Sequence, residues 1–214
     1  MRPVRTRIKI CGIREPAHAR VAAEAGADAI GLVFHPASPR LVDAETAARI
    51  ATSIPPFVAT VGLFVDADAA AVRAVLARVP LDLLQFHGKE TPEYCGQFGR
   101  PYMKAVAMAA GTDLLEWSRR FSAARALLLD AHVPGTPGGT GQTFDWAAIP
   151  RDLPIPIVLS GGLDAANVGR AIREVRPWAV DVSSGVEMSR GLKDPKRIVE
   201  FIGNVRREDA GLSA

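Results

Sequence analysis

Residues 7–34 read "RIKICGIREPAHARVAAEAGADAIGLVF", and three segments stand out within them. An apolar run of strand length, "RIKIC" (7–11), leads to "EPAHARVAAEAG" (15–26), which has helical periodicity. Pro16 stands near the start of that helix and Gly26 at its end, the placements these residues favour. A second apolar run, "AIGLVF" (29–34), follows at once. Strand, helix and strand in that order make one βα unit with the next already begun.

The same alternation continues outward from this stretch. Further strands are expected at "FVATVGLFV" (57–65), "LLQFH" (83–87), "YMKAVAM" (102–108), "ALLLDA" (126–131), "IPIVLS" (155–160) and "AVDVSS" (179–184). Their spacing is about 25 residues, near the size of a βα unit. The helical stretches "DAETAARIATSI" (43–54), "DAAAVRAVLARV" (68–79), "DAANVGRAIREV" (164–175) and "DPKRIVEFIGNVRRE" (194–208) each open with an acidic residue suited to capping a first turn. Continuous apolar strands alternating with helices imply a parallel sheet buried on both faces. Eight such units in 214 residues point to an α/β fold of the (β/α)8 TIM-barrel type. A doubly wound open sheet is the alternative, because a strand count does not prove closure. No linker interrupts the series, so one domain is expected over residues 1–214.

Composition agrees with a globular chain: 48% of residues are hydrophobic and 23% charged. No apolar run approaches the roughly 18 residues of a membrane span. The start "MRPVRTRIKICGIRE" is broken by Lys9 and ends on Arg14 and Glu15, unlike a signal peptide. Cys11 and Cys95 are far apart and belong to no CxxC pair, which fits reduced thiols in a cytoplasm. The net charge of +3 is small and the arginines are scattered, so nucleic acid is not an expected partner.

In a barrel of this kind the chemistry sits at the C-terminal ends of the strands. Alternation puts Lys9 and Cys11 on one face of the first strand and Ile8 and Ile10 on the other. With the isoleucines toward the helices, Cys11 points into the barrel mouth. Asp130 closes the run "LLLD" on the same face as Leu128, and an acid there is costly to bury without a purpose. The stretch "AHVPGTPGGTGQTFDW" (131–146) has neither a Gly-Lys-Ser/Thr ending nor a G-x-G-x-x-G pattern, and reads as a long lid. Gly161 and Gly162 after the seventh strand, and Ser183, Ser184 and Gly185 after the eighth, stand where barrels commonly hold phosphate. The loop "FHPASPR" (34–40), stiffened by two prolines, presents Arg40, whose guanidinium can fork onto a carboxylate. The histidines at 18, 35, 87 and 132 lack metal-ligand spacing, and no metal is expected.

The ordered set "KICGI", "GLVFHPASPR", "VGLFVD", "LLQFHG", "LLLDAHVPGTPGGTGQTFDW", "LSGGLDAANV" and "VDVSSGVE" resembles the phosphoribosylanthranilate isomerases, over nearly the whole chain. Only "MRPVRT" and the tail after "NVRRE" carry none of the likeness. The resemblance implies an Amadori rearrangement of N-(5-phosphoribosyl)anthranilate without a cofactor. It assigns Asp130 as general acid and Cys11 as general base. The thiol, ordinarily near pKa 8.5, would need an electropositive or hydrogen-bonding setting. Arg40 would hold the anthranilate carboxylate. Gly161, Gly162, Asp181, Ser183, Ser184 and Gly185 would complete the binding set, with the phosphate on the two glycine- and serine-containing loops. The expected partner is this small phosphosugar substrate, and a homodimer stays open. Another phosphosugar barrel enzyme would want metal ligands or a lysine and glutamate constellation. A non-catalytic binding protein would keep the pocket without turnover.

Overall fold

The choice between a closed barrel and an open sheet rests on what the first strand pairs with. In a computed structural model, which describes residues 5–131 and 144–213, β1 (Arg7–Cys11) pairs in parallel with β2 (Ala29–Val33) on one side and β8 (Ala179–Val182) on the other. Between them run β3 (Ala59–Phe64), β4 (Leu83–Phe86), β5 (Tyr102–Ala107), β6 (Ala126–Asp130) and β7 (Ile157–Leu159), each bonded to its neighbours in chain order. The sheet is a closed eight-stranded barrel.

The helices around it are α1 (Pro16–Ala25), α2 (Ala44–Ser53), α3 (Ala69–Leu76), α4 (Pro92–Gly96), α5 (Leu114–Arg120), α6 (Val168–Val175) and α7 (Pro195–Ser213). Among the described residues, a 3-10 turn at Trp146–Ala148 is the only helical element between β6 and β7. Several capping expectations are met by the side chains named for them. Asp43 accepts from Thr46 N at 2.7 Å, Asp68 from Ala70 N at 2.9 Å and Asp194 from Lys196 N at 2.9 Å. Gly26 ends α1 in the left-handed region at φ 100°. Asp164 likewise accepts from Ala166 N at 2.8 Å and Asn167 N at 2.9 Å, capping a turn that passes into α6 at Val168.

Strand ends are shorter than expected where proline stands. Phe57 follows Pro55 and Pro56 and sits at φ 73°, so β3 starts only at Ala59. Pro156 contributes to the ladder only its carbonyl, which accepts from Leu127 N at 3.0 Å, and β7 starts at Ile157. After β8 the chain forms an element with no counterpart in the sequence reading. A 3-10 turn at Ser184–Val186 runs into an antiparallel hairpin of β9 (Glu187–Ser189) and β10 (Leu192–Lys193). The expected lid lies, from 132 to 143, outside the described residues.

Alternation along the strands sorts two cores. Ile8 and Ile10 pack outward with the helices, while Val61, Met103, Ala105, Leu128 and Val158 fill the barrel interior. The two ends without family likeness meet: Thr6 donates through both N and Oγ1 to Asp209 of α7, each at 2.8 Å. No described helix is long and apolar enough to cross a membrane. Cys95 lies in the outer core, where burial pushes its thiol up to about 12. Cys95→Ala is expected to cost about 1 kcal/mol of stability, read as a lower denaturant midpoint, with kcat unchanged. A selective loss of turnover would contradict this placement.

Candidate active site

The inward face of β1 carries Lys9 and then Cys11, both buried. Cys11 is paired in register with Gly31 of β2, and that pairing makes its site. A Cβ on Gly31 would stand 2.7 Å from Cys11 Sγ and 3.1 Å from Lys9 Nζ, so only glycine leaves room for thiol and ammonium side by side. Cys11 touches Val33 and Leu63 in a small apolar cluster at the barrel mouth. Burial pushes the thiol above its ordinary value, and the Lys9 ammonium pulls it down without cancelling that rise. Burial also opposes the charge on Lys9, but Asp181 and Cys11 outweigh it and hold the ammonium charged. Lys9 Nζ donates to Asp181 Oδ1 at 2.8 Å, and Ser160 Oγ donates to Oδ2 at 3.2 Å.

Asp130 ends β6 across the mouth, and its Oδ2 stands 3.0 Å from His87 Nε2. The other ring nitrogen, Nδ1, is 2.9 Å from Gln85 Nε2. Gln85 is on β4 and His87 directly follows that strand, so one strand end supplies both.

Arg40 is buried, and its fork is already engaged. Nε donates to Glu187 Oε1 at 2.7 Å and Nη2 to Oε2 at 2.9 Å. Lys193 Nζ donates to the same carboxylate at 2.9 Å and to the Ser183 carbonyl at 2.8 Å, which ties the β9–β10 hairpin to the loop after β8. Burial raises the Glu187 carboxyl, yet Arg40 and Lys193 together bring it below its usual range. The Lys193 ammonium is lowered by burial against the pull of Glu187.

These groups open on one cavity of about 360 Å³, lined by Cys11, Arg40, Gln85, His87, Asp130 and Asp181. Ser160, Gly161 and Gly162 after β7, and Ser183 and Ser184 after β8, complete one wall. Gly161 holds φ 81°, and a Cβ there would come within 2.3 Å of Ala131 N. Gly185 stands outside the lining. A Cβ on it would meet the Leu163 carbonyl oxygen at 2.0 Å, so its bareness lets the two loops pack on each other. Asp181 reaches the cavity as a carboxylate held by Lys9 and Ser160, a group that repels rather than grips a phosphate.

The sequence reading did not single out Gln85, Glu187 or Lys193, and it considered His87 only as a metal ligand. In "LLQFH" Gln85 and His87 share the parity of inward-facing Leu83, a polar pair at the C-terminal end of a strand. Glu187 has no such local signal, since it meets Arg40 from 147 residues away.

A closed (β/α)8 barrel with a thiol, a carboxylate and an imidazole around one cavity at its C-terminal end defines an enzyme of the TIM-barrel class. A family model described as N-(5'phosphoribosyl)anthranilate (PRA) isomerase matches residues 8–204. The N-(5'-phosphoribosyl)anthranilate isomerase of Thiobacillus denitrificans is 55% identical over 200 residues, covering 94% of this chain and 98% of that protein. A crystal structure of phosphoribosyl anthranilate isomerase in complex with reduced 1-(o-carboxyphenylamino)-1-deoxyribulose 5-phosphate superposes with a TM-score of 0.83 at 40% identity. It covers 94% of this chain and 99% of that one. The mutually generated monomers of dimeric phosphoribosylanthranilate isomerase from Thermotoga maritima give 0.82 at 38% identity, over 94% of this chain and 98% of theirs. The chain belongs to the N-(5'-phosphoribosyl)anthranilate isomerase family.

Proposed function

We propose that this chain catalyses the Amadori rearrangement of N-(5'-phosphoribosyl)anthranilate to 1-(2-carboxyphenylamino)-1-deoxyribulose 5-phosphate in tryptophan biosynthesis, with Asp130 as general acid and Cys11 as general base. The observation that carries the proposal is that Cys11 and Asp130, on strands β1 and β6, open on the same cavity. Asp130 gives a proton to the furanose ring oxygen as the C1–O bond breaks, and the anthranilate nitrogen's lone pair forms the C1=N bond of a Schiff base. Cys11, as thiolate, takes the proton from C2. The electrons left behind form the C1=C2 bond of an enolamine and return the C=N pair to nitrogen. Tautomerisation to the ketone moves the C2 hydroxyl proton and adds one at C1, so C1 is reduced and C2 oxidised with no external electron carrier. Lys9 stabilises the thiolate, and Arg40, held by Glu187, receives the anthranilate carboxylate. The phosphate lies against the Gly161–Gly162 and Ser183–Ser184 loops.

Turnover of substrate generated in situ by the purified protein, and growth rescue of a tryptophan auxotroph lacking this step, test the reaction. A folded protein that achieves neither would refute it and favour a binding protein. The reaction is assigned to the cytoplasm, in keeping with two buried free thiols. One domain over residues 1–214 is part of the same proposal, supported by the Thr6–Asp209 contact between its two ends.

A homodimer through the end of the barrel opposite the cavity is also proposed. Phe57, before β3, is fully exposed and held at φ 73°, a costly placement for a large apolar residue, and a solved relative is described as dimeric. Sedimentation is expected to show a dimer that Phe57→Asp converts to active monomer; a wild-type monomer at every concentration would exclude it.

A further inference from the structure

Gln85 is fully buried, and only half of its amide is satisfied. Its Nε2 meets His87 Nδ1, whereas Oε1 has no hydrogen-bond partner among the described residues. Buried polar groups rarely go unmatched, and each that does calls for an explanation. Turning the amide over would not help, because both donors of the NH2 group would then be unmatched in place of one acceptor and one N–H, and orphaned buried donors are the rarer kind. The barrel therefore favours the amide with its donors toward the imidazole. A ring nitrogen that receives a donor must be the bare one, and in neutral histidine the proton then sits on the other nitrogen. That nitrogen, Nε2, faces Asp130 Oδ2 at 3.0 Å.

We infer that Gln85 is a positioning residue for the acid step: it holds His87 in the Nε2–H tautomer, so that Asp130 Oδ2 always accepts and the transferable proton resides on Oδ1. Oδ1 is turned toward the loop after β7, where a Cβ on Gly161 would stand 2.9 Å from it. When the proton passes from Oδ1 to the sugar ring oxygen, the new carboxylate already has its N–H donor. No proton need move within the imidazole, and this readiness is what electrostatic preorganisation supplies. The orphaned Oε1 is the cost of keeping the amide one way round. The inference rests on the reading of Asp130 as the acid, but the tautomer can be observed independently of turnover.

The test is the nitrogen spectrum of the full chain with 15N-labelled histidine, the His87 signals being assigned by their loss in His87→Asn. Wild type is expected to show a protonated Nε2 and a bare Nδ1. Gln85→Glu places a carboxylate against Nδ1 and is expected to protonate it. Gln85→Met keeps the volume without the donor and is expected to mix the tautomers. Both should lower kcat about tenfold and leave KM within about twofold, the pattern of a lost transition-state contribution. A side chain that only fills space would leave kcat and spectrum unchanged in Gln85→Met. A wild-type spectrum with a proton on Nδ1, alone or on both nitrogens, overturns the inference without any variant, as does wild-type kcat in either folded variant. Retained turnover in Asp130→Asn would instead remove the acid assignment while leaving the tautomer assignment intact.

Discussion

Asp130→Asn and Cys11→Ser are each expected to lower kcat by at least about a hundredfold, the low end of what a positioned acid or base contributes. Asparagine matches the shape of the carboxyl and can still accept from His87 Nε2 through its oxygen, but it has no transferable proton. Serine fits the space beside Gly31 that sulfur now fills, with a hydroxyl far too weakly acidic to serve as a resting base. Neither change opens a core cavity, so melting temperature should hold and KM should change little, since the lost interaction belongs to the transition state. Steady-state kinetics on folded variants decide the matter: near wild-type kcat in either one removes that residue from the mechanism.

The pH profile adds a direction that a structural role would not. A base acts deprotonated, so kcat/KM is expected to climb with pH through a limb governed by Cys11. Burial sets that limb above the ordinary thiol value, with Lys9 and Lys193 pulling it down and Asp181 pushing it up. Lys9→Met removes the larger pull and leaves Asp181 without its cation, and both effects raise the thiol further. The limb should therefore move to higher pH; a limb that stays in place would show that Lys9 does not act on Cys11.

How much of this was legible in the sequence depended on the range of the interaction. Strand alternation has period two, so parity separated Cys11 from Ile8 and Ile10 and joined Asp130 to Leu128, and Cys11 aimed at the barrel mouth only once the isoleucines were taken to face the helices. The barrel followed from the repeated order of apolar run and capped helix, but its closure lay in the pairing of Lys9 with Asp181, which no local pattern displays. Errors at strand ends had local causes, in the prolines before Phe57 and Ile157. Gln85 and His87 were visible as polar residues on an inward face, but their bearing on Asp130 depends on how β4 and β6 meet across the mouth. Glu187 could not be foreseen at all. Its significance comes from a hairpin that folds back onto a loop early in the chain, and a buried acid in "SSGVE" carries no periodic mark.

That hairpin decides what substituting Arg40 should show. With Nε and Nη2 committed to Glu187, the proposed assignment leaves the edge of the guanidinium that carries Nη1 to meet the anthranilate carboxylate, with Glu187 setting its angle. Arg40→Ala removes a charge-assisted contact of about 1.5–3 kcal/mol, so affinity should fall about tenfold to a hundredfold. It also strands the buried Glu187 on Lys193 alone, so the melting temperature should fall as well. Arg40→Lys keeps a charge but loses the fork on both sides, and should recover only part of either loss. Glu187→Gln leaves the arginine charged and in place with a weaker anchor, and should weaken substrate binding less than Arg40→Ala does. Stability and recognition separate with an analogue that lacks the carboxylate. Wild type should bind it poorly, and Arg40→Ala should bind it about as well as wild type does, because there is no carboxylate left to lose. Equal weakening of both ligands by Arg40→Ala would mean that Arg40 serves only to hold the hairpin through Glu187, and that the carboxylate is read elsewhere in the cavity.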